Sequence, residues 1–146
     1  MVESMSWALW LGLGGLAFAL VLFGYVRGQD EGTDLMRELA DSIRAGAMTF
    51  LRREYSVLVP FVVVVATMLW ALIGPRTAAA YAFGAVCSIL AGFVGMKAAT
   101  LANVRTTEAA RSHGQAKALR VAFSGGAVMG LAVASLGLAG LGAVLL

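Results

Sequence analysis

Four long runs without an ionised side chain constrain this fold more than any other feature. Residues 7–26, 55–73, 78–96 and 121–146 contain no Asp, Glu, Lys, Arg or His. Each run is close to the ~20 residues an α-helix needs to cross the ~30 Å hydrocarbon core of a bilayer. In lipid, backbone N–H and C=O groups must be satisfied within the protein, so such runs fold as helices. Composition points the same way, with 60% of residues apolar and 13% charged. Ordinary soluble domains have about 45–50% and about 25%. The expected fold is all-α and transmembrane, with four membrane helices at about 7–26, 55–73, 78–97 and 121–146. Polar segments at 27–54 and 98–120 join them, and residues 1–146 read as a single membrane segment of a larger helical bundle.

In the first run, Trp7 and Trp10 mark one interface and Tyr25 the other. A cleaved signal peptide would need basic residues before the run and a small-x-small site after it. Residues 1–6 carry only Glu3, so an uncleaved helix is expected. Gly12, Gly14 and Ala17 match the spacing of a dinucleotide-binding turn, but that turn needs a strand and a soluble βαβ unit. These glycines are expected to admit a neighbouring helix instead.

Residues 34–54 change character. Leu35, Met36, Leu39, Ala40, Ile43, Ala47, Phe50 and Leu51 recur at steps of one, three and four along one side. Asp34, Arg37, Glu38, Asp41, Arg44 and Arg52 take the other. Thr33 is placed to cap the start, and Arg37–Asp41 and Asp41–Arg44 have ion-pair spacing. The mixed charge disfavours a helix lying on lipid. A cytoplasmic amphipathic extension that packs against other protein is the sharper expectation. Pro60 can kink the following run or begin a new turn, yet one helix from about residue 34 to 73 is consistent with the pattern.

Residues 74–77, Gly-Pro-Arg-Thr, read as a tight turn. In the third run Gly84, Ser88 and Gly92 repeat every four residues, and in the fourth so do Gly126, Gly130 and Ala134. Both patterns predict flat faces for close helix contact. Lys97 closes the third run, where a long side chain reaches the headgroups. Residues 92–111 then lead out of the membrane into a polar, basic segment with Asn103, Arg105, Thr106 and Arg111, and Gly114 breaks the pattern.

Of 11 Lys and Arg residues, nine fall in the two long polar segments, Lys97 borders the second of them, and Arg76 alone lies between the second and third runs. The positive-inside rule puts the two segments in the cytoplasm and both termini outside. A bacterial inner membrane is the expected location.

Chemistry is sparse. The runs hold no acid, whereas ion pumps and proton relays place ionisable groups inside the membrane. Cys87 is the lone cysteine and His113 the lone histidine, so neither disulfide nor His/Cys metal site is available. The acids Asp30, Glu31, Asp34, Glu38 and Asp41 resemble a Mg²⁺ site in composition, but Asp34, Glu38 and Asp41 share a face with Arg37 and Arg44 interleaved, the pattern of a solvated ion-paired surface. The small net charge of +3, split among several turns, argues against a nucleic-acid face. No catalytic, cofactor-binding or metal residue is assigned.

Three ordered blocks nevertheless resemble the membrane-integral, ion-translocating pyrophosphatases. Residues 32–40 (Gly-Thr-Asp-Leu-Met-Arg-Glu-Leu-Ala) and 46–55 (Gly-Ala-Met-Thr-Phe-Leu-Arg-Arg-Glu-Tyr) are similar to that family's first cytoplasmic region. Residues 92–106, above all Gly-Met-Lys and Ala-Asn-Val-Arg-Thr, resemble the end of its third helix, and residues 122–130 the start of its fourth. The resemblance implies a homodimeric helical pump of about sixteen spans that hydrolyses pyrophosphate and exports H⁺ or Na⁺. It implies Mg²⁺, and K⁺ in some members, with ligands on later helices. This chain then corresponds to an N-terminal scaffold in the outer ring, joined by the remainder of the pump and a second protomer. The apolar end at Leu146 suits a fragment. The alternative is a self-contained four-helix membrane protein, a small transporter or an accessory subunit.

Overall fold

The computed structural model describes the backbone of residues 2–145 and the side chains of residues 7–143. The polar character read for residues 1–6 and the end of the fourth run at Leu146 concern side chains outside that range. Four helices follow one another: α1 (Val2–Arg27), α2 (Asp34–Leu72), α3 (Pro75–His113) and α4 (Gln115–Leu145). Each is long and apolar enough to cross a membrane.

The second and third helices exceed what a bilayer requires. Each has 39 residues. At about 1.5 Å per residue that is roughly 58 Å, nearly twice a ~30 Å hydrocarbon core. The amphipathic segment and the second apolar run therefore form one rod, and Pro60 sits inside it without ending it. The Thr33 hydroxyl accepts from the Met36 N–H at 3.4 Å, capping the start. Arg37 pairs with Asp34 at 3.3 Å, three residues back, and not with Asp41 as the spacing suggested. Asp41 is taken by Arg44 at 2.9 Å.

Residues 98–113 continue α3 as helix, because Ala98, Ala99, Leu101, Ala102, Ala109 and Ala110 are strong helix formers and no breaker precedes Gly114. One expectation about turns is corrected. The tight turn lies at Ile73 and Gly74; Pro75–Thr77 already belong to α3, with Pro75 in the first-turn position that suits a residue lacking an N–H. Gly74 (φ +139°) and Gly114 (φ +82°) occupy backbone conformations that exclude most side chains. Gly114 alone forms the elbow between α3 and α4.

The helices pack in a row, α1–α4–α3–α2, with α1 also reaching α3. Among the described residues α2 packs along α3 and along neither α1 nor α4. Val26, Val121 and Val128 are the largest fully buried side chains. The clustered core is small, Ala109, Ala118 and Val121 beside the elbow. Most large apolar side chains in the runs face outward, as lipid or further helices require.

Close contacts fall on glycines other than most of those the four-residue repeats singled out. A Cβ at Gly12 would meet the backbone of Ser135 and Ala139 at 2.8 Å, and one at Gly15 would collide with the Ser135 hydroxyl. On α3 and α4, Gly95 faces Met129 (2.6 Å) and Gly125 faces Ala102. Gly84, Gly126 and Gly130 have open space in front of them, and Gly92 meets only the Tyr55 hydroxyl, at 3.4 Å. The Gly126–Gly130 face is thus turned away from the contacts within this chain, whereas Gly84 borders an open gap between α3 and α4.

Candidate functional site

The row order sets a problem for the chain. α1 and α2 are consecutive, yet α4 and α3 stand between them. The connection of residues 28–33 is six residues long. Fully extended it reaches at most about 20 Å, roughly two interhelical spacings. It can join α1 to α2 only by passing over the extramembrane part of α3, and the polar side chains of α3 hold it there.

Arg105 is the centre of that clamp. Its Nε donates to the Gln29 carbonyl at 3.1 Å, its Nη1 to the Leu101 carbonyl at 2.9 Å and its Nη2 to Glu31 Oε1 at 2.6 Å. Arg105 is only 5% exposed. A guanidinium buried and engaged in this way fixes a loop; it is closed to a dissolved anion. One turn further along α3, Glu108 is likewise buried and receives two bonds from Arg111, at 2.8 and 2.9 Å. A Cβ on Gly32 would lie 2.6 Å from Glu108 Oε2, so the loop rests directly on that carboxylate. Gly32 also has φ +81°, and its N–H donates to Asp30 Oδ1 at 2.9 Å.

The charges respond as expected. The hydrogen bonds and charge of Arg111 hold the Glu108 carboxyl below the usual carboxylate range, and those of Glu108 push the Arg111 guanidinium up. The Gly32 N–H does most to lower Asp30. Each acid near the loop thus has its own donor: Asp30 has Gly32, Glu31 has Arg105 and Glu108 has Arg111. They do not converge on a common point, and among the described residues no group of three His, Cys, Asp or Glu side chains can hold a metal. The residues present do not fit a Mg²⁺ site.

Of the residues the sequence brought forward, Arg105 and Arg111 meet in this clamp. Thr106 is half-buried beside it, and Asn103 points into a crevice between α2 and α3. Lys97 lies exposed with its ammonium 5.8 Å from the centre of the Phe93 ring. His113 is exposed, its Nδ1 2.6 Å from the Ser112 hydroxyl. Cys87 is a free, half-buried thiol. Gln29 had not been singled out, and Gly32 and Glu108 had been given no role of their own. The three-residue spacing of Glu108 and Arg111 was the available signal; nothing local distinguishes Gln29, which contributes only its carbonyl.

Four long apolar helices with polar extensions on one side define an integral membrane protein, with a loop-holding clamp where its helices emerge. The chain belongs to the inorganic H⁺ pyrophosphatase family, whose model matches residues 13–146. It is 49% identical over 120 residues to a putative K⁺-stimulated pyrophosphate-energized sodium pump of Clostridium tetani, covering 82% of this chain and 18% of that protein. It is 44% identical over 127 residues to the K⁺-stimulated pyrophosphate-energized sodium pump of Thermotoga maritima, covering 86% of this chain and 18% of the pump. A K⁺-insensitive pyrophosphate-energized proton pump of Methanosarcina mazei is 39% identical over 131 residues, covering 88% of this chain and 19% of its own length. The chain thus spans somewhat less than a fifth of the length of these relatives.

Proposed function

We propose that this chain is the N-terminal, outer-ring scaffold of a pyrophosphate-energised pump that couples pyrophosphate hydrolysis to H⁺ or Na⁺ export. The family match over residues 13–146 carries the reading. The chemistry of the chain supports the scaffold part. Its apolar runs contain no carboxylate, and its loop acids are each engaged by a separate donor. Mg²⁺, and K⁺ where it stimulates, are then bound by the portion of the pump beyond this chain, as is pyrophosphate. The ten-to-one distribution of Lys and Arg supports cytoplasmic extensions and external termini in a bacterial inner membrane. The remainder of the pump and a second protomer complete the assembly.

The test is reconstitution. The purified chain in liposomes should release no phosphate from Mg²⁺-pyrophosphate. Co-expression with the remaining four-fifths of a relative pump should give hydrolysis and ion uptake. Hydrolysis by the chain alone would falsify the scaffold assignment.

A further inference from the structure

We infer that the exposed apolar flank of the α2 extension is a docking face for the remainder of the pump polypeptide, outside the membrane. This rests on the pump reading above. Residues 34–54 form about 32 Å of helix at 1.5 Å per residue. Eight of these 21 residues are ionisable, so this part of α2 does not sit in hydrocarbon. Its apolar arc is wider than α3 can cover. Met36, Ala40 and Leu51 turn toward α3, and Ala40 and Leu51 are buried. Leu35, Leu39, Ile43 and Phe50 form the neighbouring line and are 50–65% exposed. Four large apolar side chains aligned in an aqueous region mark a protein-binding surface.

Gly46 stands in the same line, between Ile43 and Phe50. It is inside a helix, where glycine is unfavourable, and a Cβ there would meet nothing within 4 Å in this chain. Close approach by another backbone is the use such a position has. Beside the line lies a crevice of about 160 Å³ between Leu39 and Ile43 on α2 and Asn103 and Thr107 on α3. The face therefore offers apolar ridges, a glycine gap and two polar groups, which suit an amphipathic helix.

A second copy of this chain fits poorly. Two copies inserted the same way are related by an axis along the membrane normal, so each level of α2 faces its own level. Arg53 continues the line beyond Phe50 and would oppose Arg53. The relatives, in contrast, contain more than four-fifths of their length outside the matched region.

The test uses the chain co-expressed in membranes with the polypeptide supplying the rest of a relative pump. A benzophenone amino acid replaces Leu39 or Ile43 and, as control on the charged side, Asp41. Photolysis should crosslink that polypeptide from positions 39 and 43 and not from 41. Gly46→Leu should lower its co-purification by about tenfold or more, as expected for a blocked interface centre, with the thermal unfolding of the chain alone no worse. Crosslinks only to lipid or to a second copy would overturn the inference, as would co-purification unchanged by Gly46→Leu. Pyrophosphate hydrolysis without crosslinks would sink the docking face and leave the pump reading standing. Loss of both co-purification and hydrolysis in the unsubstituted pair would sink both.

Discussion

Arg105 Nη2 lies 2.6 Å from Glu31 Oε1 although 74 residues separate them in sequence. The bond ties the α1–α2 connection to the side of α3 and so fixes where two non-adjacent helices of the row stand. The Arg105 side chain is 6% exposed and that of Glu31 36%, so water screens the pair from one side only.

Arg105→Ala should therefore destabilise the chain by about 2–4 kcal/mol, since it removes three hydrogen bonds and leaves the Glu31 carboxylate and the Gln29 carbonyl without their donor, while the Leu101 carbonyl keeps its helical bond. Arg105→Lys should recover only part, because an ammonium cannot reproduce the planar fork. Thermal unfolding in detergent micelles measures both. In a complete pump the same substitution should disturb assembly or coupling more than pyrophosphate affinity. A large rise in the Michaelis constant at normal assembly would contradict this.

The Glu108–Arg111 pair predicts a pH dependence. The carboxyl is depressed in the folded state, so the unfolded chain takes up the proton first as pH falls. The contribution of the pair is complete above the unfolded carboxylate pKa of about 4.3. It is lost as pH falls through the lower folded value. Melting temperatures recorded from neutral to acid pH should drop in that window, and Glu108→Gln should flatten the curve. Asp30 is shifted in the same direction, so a residual slope remains.

Neighbouring glycines on α4 should behave oppositely. Gly125 faces Ala102 on α3 without room for a side chain, whereas Gly126 faces open space. Gly125→Leu should cost about 1–3 kcal/mol or more through overpacking. Gly126→Leu should leave the melting temperature of the chain alone unchanged or raised. Equal effects from the two substitutions would contradict the azimuth of α4 described here.

The Tyr55 hydroxyl donates to the Ile89 carbonyl at 2.9 Å, joining α2 to α3 where the extension meets the apolar run. Tyr55→Phe keeps the ring and removes the bond. The expected loss is about 0.6 kcal/mol, the usual size for interhelical bonds in membranes, read as a small fall in melting temperature with helicity unchanged.

Much of this architecture is legible in the sequence because its causes are local. Uncharged runs demand helices in lipid, and Thr33 caps α2 three residues before the N–H it accepts from. Amphipathic spacing in residues 34–54 likewise depends only on the helical period. The site was less legible. Arg105 stood out within a resembling block, but its partners Gln29 and Glu31 lie far away in sequence.

Sequence alone determined that the chain is helical and membrane-spanning, and where apolar runs give way to charged extensions. Hydrogen bonding inside a helix and the exclusion of charge from hydrocarbon act over a few residues. Tertiary structure decided which glycines are crowded, that α1 and α2 stand apart in the row, and that Arg105 holds the loop between them. Those outcomes depend on the azimuth each helix presents to its neighbours. A four-residue repeat such as Gly126–Gly130 defines a face but not the direction in which it points.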